Sequence, residues 1–199
     1  MKDRETGRLN VKEIKKDIVF QQYLRSMEFT FHSTWGLFSP RDVDAGSRLL
    51  IEYMTVEEAD ICLDLGCGYG PIGLTMAKMA PQGKVYMIDR DFIAVEYAKK
   101  NAEINGLDNC EVFLSNAFSH VPKDMKFDVI ASNIPAHVGK ELLYVILSDA
   151  RRYLKKRGKI YVVTIAGIRA FIKRNLMEVF GNYKKVKQGK TYTVAMAVK

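Results

Sequence analysis

The 199-residue chain is poor in the residues that build metal centres and disulfide frameworks. Its three histidines, His32, His120 and His137, are far apart and have no carboxylate pattern around them, so no metal site is expected. The three cysteines, Cys62, Cys67 and Cys110, are odd in number and make no C-x-x-C pair, which excludes a disulfide scaffold and points to a reduced, cytoplasmic protein. No apolar run approaches the length that crosses a bilayer, and the charged residues 1–16 have no apolar core of the signal-peptide kind, so no membrane association is expected. Internal repeats and low-complexity linkers are also absent.

What is present is an ordinary globular composition, 48% hydrophobic and 27% charged, long enough for one substantial core. The net charge of +8 favours a polyanionic partner such as RNA over a merely solvated basic surface.

The chain turns on Asp64-Leu65-Gly66-Cys67-Gly68-Tyr69-Gly70-Pro71, where an apolar strand pattern over 61–65 breaks into alternating glycines and a helical pattern follows over 71–79. Glycines let the backbone approach a ligand at distances a Cβ would forbid, and the helix start aims unpaired N–H groups at it. Pro71 suits the first helical turn, where a missing N–H costs nothing.

Around this turn the pattern alternates. Residues 10–27 have helical apolar spacing among lysines and predict a basic amphipathic helix. Phe29, Phe31, Trp35, Leu37 and Phe38 follow as an aromatic-rich hairpin or loop with Gly36 as its turn, either core or a lid over a planar substrate. A helix starts near Asp44. Strands are predicted over 61–65, 84–88, 110–115, 127–132 and 159–165, with helices over 71–79, 91–105, 139–156 and 168–180; Gly106, Gly158 and Gly181 act as helix stops. Strands over 183–187 and 191–198 close the chain as a hairpin. The expected fold is α/β: a Rossmann-like, doubly wound, seven-stranded sheet, mostly parallel with an antiparallel C-terminal hairpin, plus an N-terminal helix and aromatic hairpin. Residues 1–27 are read as a basic extension and 28–199 as one domain.

Gly68-Tyr69-Gly70-Pro71-Ile72-Gly73 matches a dinucleotide fingerprint literally, with Asp89 downstream in the ribose position. The register argues against it: the first glycine after the strand is Gly66, and the charge of Asp64 would repel a pyrophosphate while suiting a cationic group such as an amino acid's α-ammonium. The stretch D-L-G-C-G-Y-G resembles the first motif of class I S-adenosylmethionine-dependent methyltransferases. That resemblance implies a cofactor site at Asp64, Gly66, Cys67, Gly68 and Gly70. It places Asp89, in Met87-Ile88-Asp89-Arg90, on the ribose hydroxyls, where a carboxylate can accept from two neighbours. It puts Asn116, with Ala117, at the adenine amino group.

Ser132-Asn133-Ile134-Pro135-Ala136-His137 resembles the Asn-Pro-Pro-aromatic motif of methyltransferases acting on planar amino groups. In that group the Asn side-chain oxygen and the next carbonyl accept from the target N–H₂, and positioning supplies the rate. Asn133 and Pro135 stand here, and a backbone carbonyl at residue 134 needs no proline. Ala136 replaces the aromatic, so stacking on a base falls to His137, Phe38 or Trp35. Phe29-Thr30-Phe31, Gly36-Leu37-Phe38-Ser39, Val43-Asp44-Ala45-Gly46 and the residues after Pro135 resemble the ribosomal small-subunit RNA guanine-N2 methyltransferases and their small archaeal relatives. The implied activity is methylation of an exocyclic base amino group in RNA. Alternatives are a small-molecule or protein-amide substrate, or a non-catalytic RNA-binding protein of the same fold. RNA would approach over the basic N-terminal segment and Arg151, Arg152, Lys155, Lys156 and Arg157, provided these share a face with the pocket.

Overall fold

A computed structural model describes residues 17–135 and 139–199. The first elements are strands β1 (Ile18–Leu24) and β2 (Met27–Ser33), which form a separate antiparallel hairpin. Residues 18–24 therefore correct the predicted helix over 10–27, whose earlier part lies outside the described residues. Along β1 the residues alternate between exposed and shielded, a period of two, and Phe20 packs on Phe31 at 5.6 Å. A two-residue loop joins the strands at Leu24↔Met27, with Arg25 and Ser26 both at positive φ (50° and 62°). Such turns are normally marked by Asn-Gly or Asp-Gly. Arg-Ser gives no such mark, and Gly36 makes a later bend instead. The free edge of β2 is met by α3 (Phe92–Ile104) and its cap: Asn101 and Asn105 each accept from one β2 N–H and donate to a β2 carbonyl, at His32 and Thr30.

The main sheet contains β3 (Ile61–Leu65), β4 (Lys84–Asp89), β5 (Cys110–Leu114), β6 (Phe127–Asn133), β7 (Leu154–Ile165), β8 (Lys184–Gln188) and β9 (Tyr192–Val198), in the order β5-β4-β3-β6-β7-β9-β8. Strands β3 to β7 pair in parallel and β9 runs antiparallel to both β7 and β8. This is the predicted doubly wound, seven-stranded sheet. One face carries α1 (Ala45–Tyr53), α2 (Pro71–Met79), α3 and the N-terminal hairpin; the other carries α4 (Lys140–Tyr153) and α5 (Arg169–Phe180). Helix α2 is buried from Pro71 to Ala77, which suits its almost unbroken apolar sequence.

Helix ends follow local chemistry. Asp44 and Asp91 cap α1 and α3 with their carboxylates, and Gly181 ends α5 in the left-handed conformation. One end does not: α4 stops at Tyr153 rather than 156, and β7 begins at Leu154, with Gly158 inside the strand. The register to β6 slips between Phe127 and Val129, so residues 155–158 bulge opposite Asp128. A Cβ at Gly158 would stand 3.0 Å from the Phe127 carbonyl oxygen, so the glycine serves the crowded bulge and stops no helix.

Candidate active site

The order of strands changes direction between β3 and β6, and ligands of open α/β sheets bind at the carboxyl ends of the strands at such a point. A cavity of about 540 Å³ lies there. Its floor is the glycine turn. Gly66, Gly68 and Gly70 have φ of +78°, +56° and +100°, a region that side chains avoid, and a Cβ on Gly66 or Gly68 would meet no protein atom within 4 Å. The turn thus has strained backbone that only glycine adopts freely, beside open space. That is the cradle expected for a ligand held close to main chain.

Asp89, the last residue of β4, faces this turn: one carboxylate oxygen accepts from the Gly68 N–H at 2.9 Å and the other from the Asp91 N–H at 2.9 Å. Each oxygen keeps a second lone pair, which suits two adjacent hydroxyls. Asp89, Arg90, Asn116, Ala117 and Cys67 all line the cavity. Ala117 is at φ +48°, held by its carbonyl accepting from the Ser115 hydroxyl at 2.6 Å. The Cys67 thiol is lifted well above its usual range by burial and by the neighbouring Asp64 and Asp89 carboxylates, and burial pushes Cys110 up to about 12. Cys67 therefore stays protonated and is a wall of the cavity.

Two of the predicted cofactor residues do not line the cavity: Gly70, where a Cβ would stand 3.3 Å from the Leu74 side chain, and Asp64. Asp64 is 0% exposed, behind the turn. One oxygen accepts from the Gly73 N–H of α2 at 2.7 Å, while Oδ1 has no partner. Burial pushes its carboxyl up to about 7; the Gly73 bond opposes that rise and Asp89 adds to it.

On the opposite wall Asn133 ends β6. Its Nδ2 donates to the Asp44 carboxylate at 2.9 Å and to the Ser47 hydroxyl at 3.0 Å. Ile134 and Pro135 continue the wall, facing the first turns of α4. Of the aromatic candidates, Phe38 lines the cavity and is 68% exposed. Trp35 is outside it, with the Arg41 guanidinium 4.4 Å over its ring. His137 lies outside the described residues.

Sequence reasoning missed the links that fix this wall. Asp44 was legible as a helix start and as part of a family-like stretch, with no link to Asn133, and Ser47 carried no signal; neither did Tyr192, whose hydroxyl donates to the Asp44 carboxylate at 2.9 Å. Tyr69, inside the glycine turn, is buried and directs its hydroxyl to the carbonyls of Ser39 and Asp42, each at 3.1 Å, joining the turn to the segment that carries Phe38. The condition on the basic cluster is not met. The N-terminal turn of α4 lines the cavity, whereas Arg151 to Arg157 lie at its far end and beside Phe127, the first residue of β6. Six residue steps of strand separate Phe127 from Asn133, about 20 Å. Among the described residues no group of His, Cys, Asp and Glu could hold a metal ion, and no helix is long and apolar enough to cross a membrane.

Known proteins are similar to this chain in sequence and fold. YbxB of Bacillus subtilis (strain 168), itself uncharacterized, is 38% identical over 88% of this chain and 89% of its own. A solved T. thermophilus 16S rRNA N2 guanine methyltransferase, RsmC, in complex with AdoMet and guanosine, superimposes with a TM-score of 0.83 at 28% identity. That match takes in 91% of this chain but only 50% of RsmC, so the chain spans half of its length. TYW2 of M. jannaschii, in complex with AdoMet, shares the fold at 18% identity, with a TM-score of 0.64 over 92% of this chain and 86% of its own. The family model described as methyltransferase small domain matches residues 28–196, and the chain belongs to that family as an S-adenosylmethionine-dependent methyltransferase.

Proposed function

We propose that the protein methylates an exocyclic amino group of a base in RNA, guanine N2 of ribosomal RNA. The observation that carries this reading is the state of the Asn133 amide. Both of its donor positions are engaged by Asp44 and Ser47, which leaves Oδ1 as an acceptor at the cavity wall. An acceptor suits an N–H₂ group, and with the Ile134 carbonyl beside it the pair would draw the base nitrogen toward tetrahedral geometry, freeing its lone pair. The likeness to RsmC supports guanine as the base.

Bound at the glycine turn, S-adenosylmethionine supplies a methyl carbon on a sulfonium: the base nitrogen forms the new C–N bond as the C–S bond breaks, and one N–H proton is released. The chain's part is to position. Asp89 would take the ribose hydroxyls, Asn116 and Ala117 the adenine, and Gly66, Cys67, Gly68 and Gly70 the methionine portion, with Arg90 at the rim. The open space over Gly66 and Gly68 fits such a cofactor. Phe38 is the stacking surface that Ala136 does not provide, and Trp35 with Arg41 offers RNA a cation on an aromatic face beside the cavity. Pro135, which lines the cavity, and His137 keep their places in the catalytic motif from the resemblance, with His137 also a substrate contact. Residues 28–199 are the catalytic unit, with the preceding residues an extension that adds β1, and the three unpaired cysteines suit a cytoplasmic setting.

The test is Asn133→Ala, read by calorimetry for S-adenosylmethionine and by labelled methyl transfer to unmodified ribosomal RNA. Binding is expected to persist and transfer to be lost; retained transfer would remove Asn133 from the mechanism. Transfer should also fall steeply with salt, and a salt-independent activity would point to a small-molecule substrate instead.

A further inference from the structure

The Asn133 amide carries an acceptor on one side and a donor on the other, separated by a simple rotation, and only one orientation suits an amino group as substrate. What selects that orientation lies outside the motif. Asp44, 89 residues earlier, takes four hydrogen bonds: Oδ2 accepts from the N–H groups of Gly46 (2.9 Å) and Ser47 (3.1 Å) and from Asn133 Nδ2 (2.9 Å), while Oδ1 accepts from the Tyr192 hydroxyl (2.9 Å). A carboxylate accepts only. An Asn133 turned the other way would set oxygen against oxygen at Asp44, whereas the Ser47 hydroxyl can donate or accept and does not choose between the two.

The surroundings are shaped to keep this carboxylate in place. A Cβ on Gly46 would stand 2.8 Å from the Asp44 Oδ2 and 2.8 Å from the Tyr192 ring, so position 46 has room for glycine only. Burial, helped by the Asp44 bond, raises the Tyr192 phenol above its ordinary range, which keeps it a donor. Tyr192 begins the last strand, so the network ties the first helix, the fourth parallel strand and the C-terminal hairpin together at the substrate wall.

We propose that Asp44 is a positioning residue for methyl transfer: it fixes the Asn133 amide with Oδ1 toward the substrate amino group, and Gly46 and Tyr192 hold it there. The inference rests on the reading that Asn133 accepts from the target N–H₂. It makes Asp44 more than a helix cap, and the two roles separate by substitution. Asp44→Ser keeps the cap, since serine accepts from the same backbone N–H groups, but is too short to reach Asn133. Asp44→Asn keeps both, its oxygen accepting as before and its amide meeting the Tyr192 hydroxyl as an acceptor.

The experiment measures kcat, KM for unmodified ribosomal RNA and S-adenosylmethionine affinity for the wild type and both variants, with thermal unfolding as a control. Asp44→Ser should lower kcat about 10- to 100-fold, as expected for loss of one oriented acceptor. Cofactor affinity and KM should stay within a few-fold, and Asp44→Asn should recover most of the rate. A full rate in Asp44→Ser, when Asn133→Ala has lost it, overturns the inference and leaves the function standing; retained transfer in Asn133→Ala overturns both. If Asp44→Ser is unstable, Tyr192→Phe, which leaves the cap intact and removes the hydroxyl that holds the Asp44 carboxylate, takes its place with a several-fold loss expected and none as the refuting result. A second reading needs no RNA: the side-chain amide protons of Asn133, followed by nitrogen-edited NMR, should exchange slowly with solvent in the wild type and in Asp44→Asn, and fast in Asp44→Ser. Equal exchange in all three overturns the proposal.

Discussion

Replacing Asp64 by Asn tests whether the carboxyl behind the glycine turn is a strained, half-neutral group. In the folded protein burial pushes it up to about 7 from an ordinary 3.8. Because the folded value lies above the unfolded one, the unfolded chain releases this proton first as the pH rises. Asp64 therefore costs stability increasingly above about pH 4, and the cost levels off above about pH 7. At 1.36 kcal/mol per unit the cost is about 2 kcal/mol near pH 5 and about 4 kcal/mol near pH 8.5. Asn at this position keeps the acceptor for the Gly73 N–H but puts an N–H₂ where Oδ1 now has no partner, a pH-independent penalty of about 1–3 kcal/mol. The difference in stability between variant and wild type should thus move in the variant's favour by about 2–3 kcal/mol from pH 5 to pH 8.5, other titrating groups cancelling in the subtraction. Urea unfolding at the two pH values measures it, and a difference constant to within about 0.5 kcal/mol would refute the raised carboxyl. The same pair of proteins tests the cofactor contact. If the ammonium of S-adenosylmethionine reaches Oδ1, the ratio of wild-type to variant affinity should rise about tenfold between pH 6 and pH 8, the ligand's own amine cancelling in the ratio. A flat ratio makes Asp64 a support for the turn alone.

Asp89→Ala should weaken S-adenosylmethionine binding about 100-fold or more by calorimetry, since it removes two acceptors for the ribose and the oxygens that hold the Gly68 and Asp91 N–H groups; unchanged affinity would refute the ribose assignment. Phe38→Ala should raise KM for RNA by about 5- to 100-fold through lost stacking while leaving cofactor affinity alone, and an unchanged KM would move the stacking surface elsewhere. Acid unfolding should be assisted by Asp17, whose carboxyl is held far below its usual range by bonds from Lys100, Tyr97 and His32. Its stabilisation is present above about pH 4 and is lost as the pH falls below that, so Asp17→Asn should flatten the acid limb of the stability curve.

The parts of this protein that depend on near neighbours in the chain were legible in its residues. The glycine turn, the helix starts near Asp44 and Asp91, the helix stops at Gly106 and Gly181 and the alternation of strand and helix each follow from conformational limits within a few residues. Together they specified the seven-stranded sheet, and the glycine register with Asp64 ahead of it argued against a dinucleotide, the resemblance of that stretch implying the kind of ligand. What failed was pairing over distance. Residues 18–24 fit a helical spacing taken alone, and became a strand because β2 offered a partner across an Arg-Ser turn that has no signature. Leu154 left its helix because the edge of β6 was there to receive it, at a bulge that only the register reveals. The basic run from Arg151 has the composition of an RNA contact and lies at the wrong end of the sheet, a fact of topology.

The active site divides the same way. The chain's own order placed Asn133 at the end of a strand, and the resemblance of its motif implied the role proposed for it, meeting the substrate. Which of its two faces it presents is, in the proposed arrangement, set by Asp44 and steadied by Tyr192, brought from 89 and 59 positions away. An amide's orientation depends on its hydrogen-bond partners, and no pattern in the residues around Asn133 names them. Sequence determined the fold and the chemistry of the cofactor turn through local constraint; tertiary structure decided which way the acceptor faces, because that depends on partners the chain brings together only when folded.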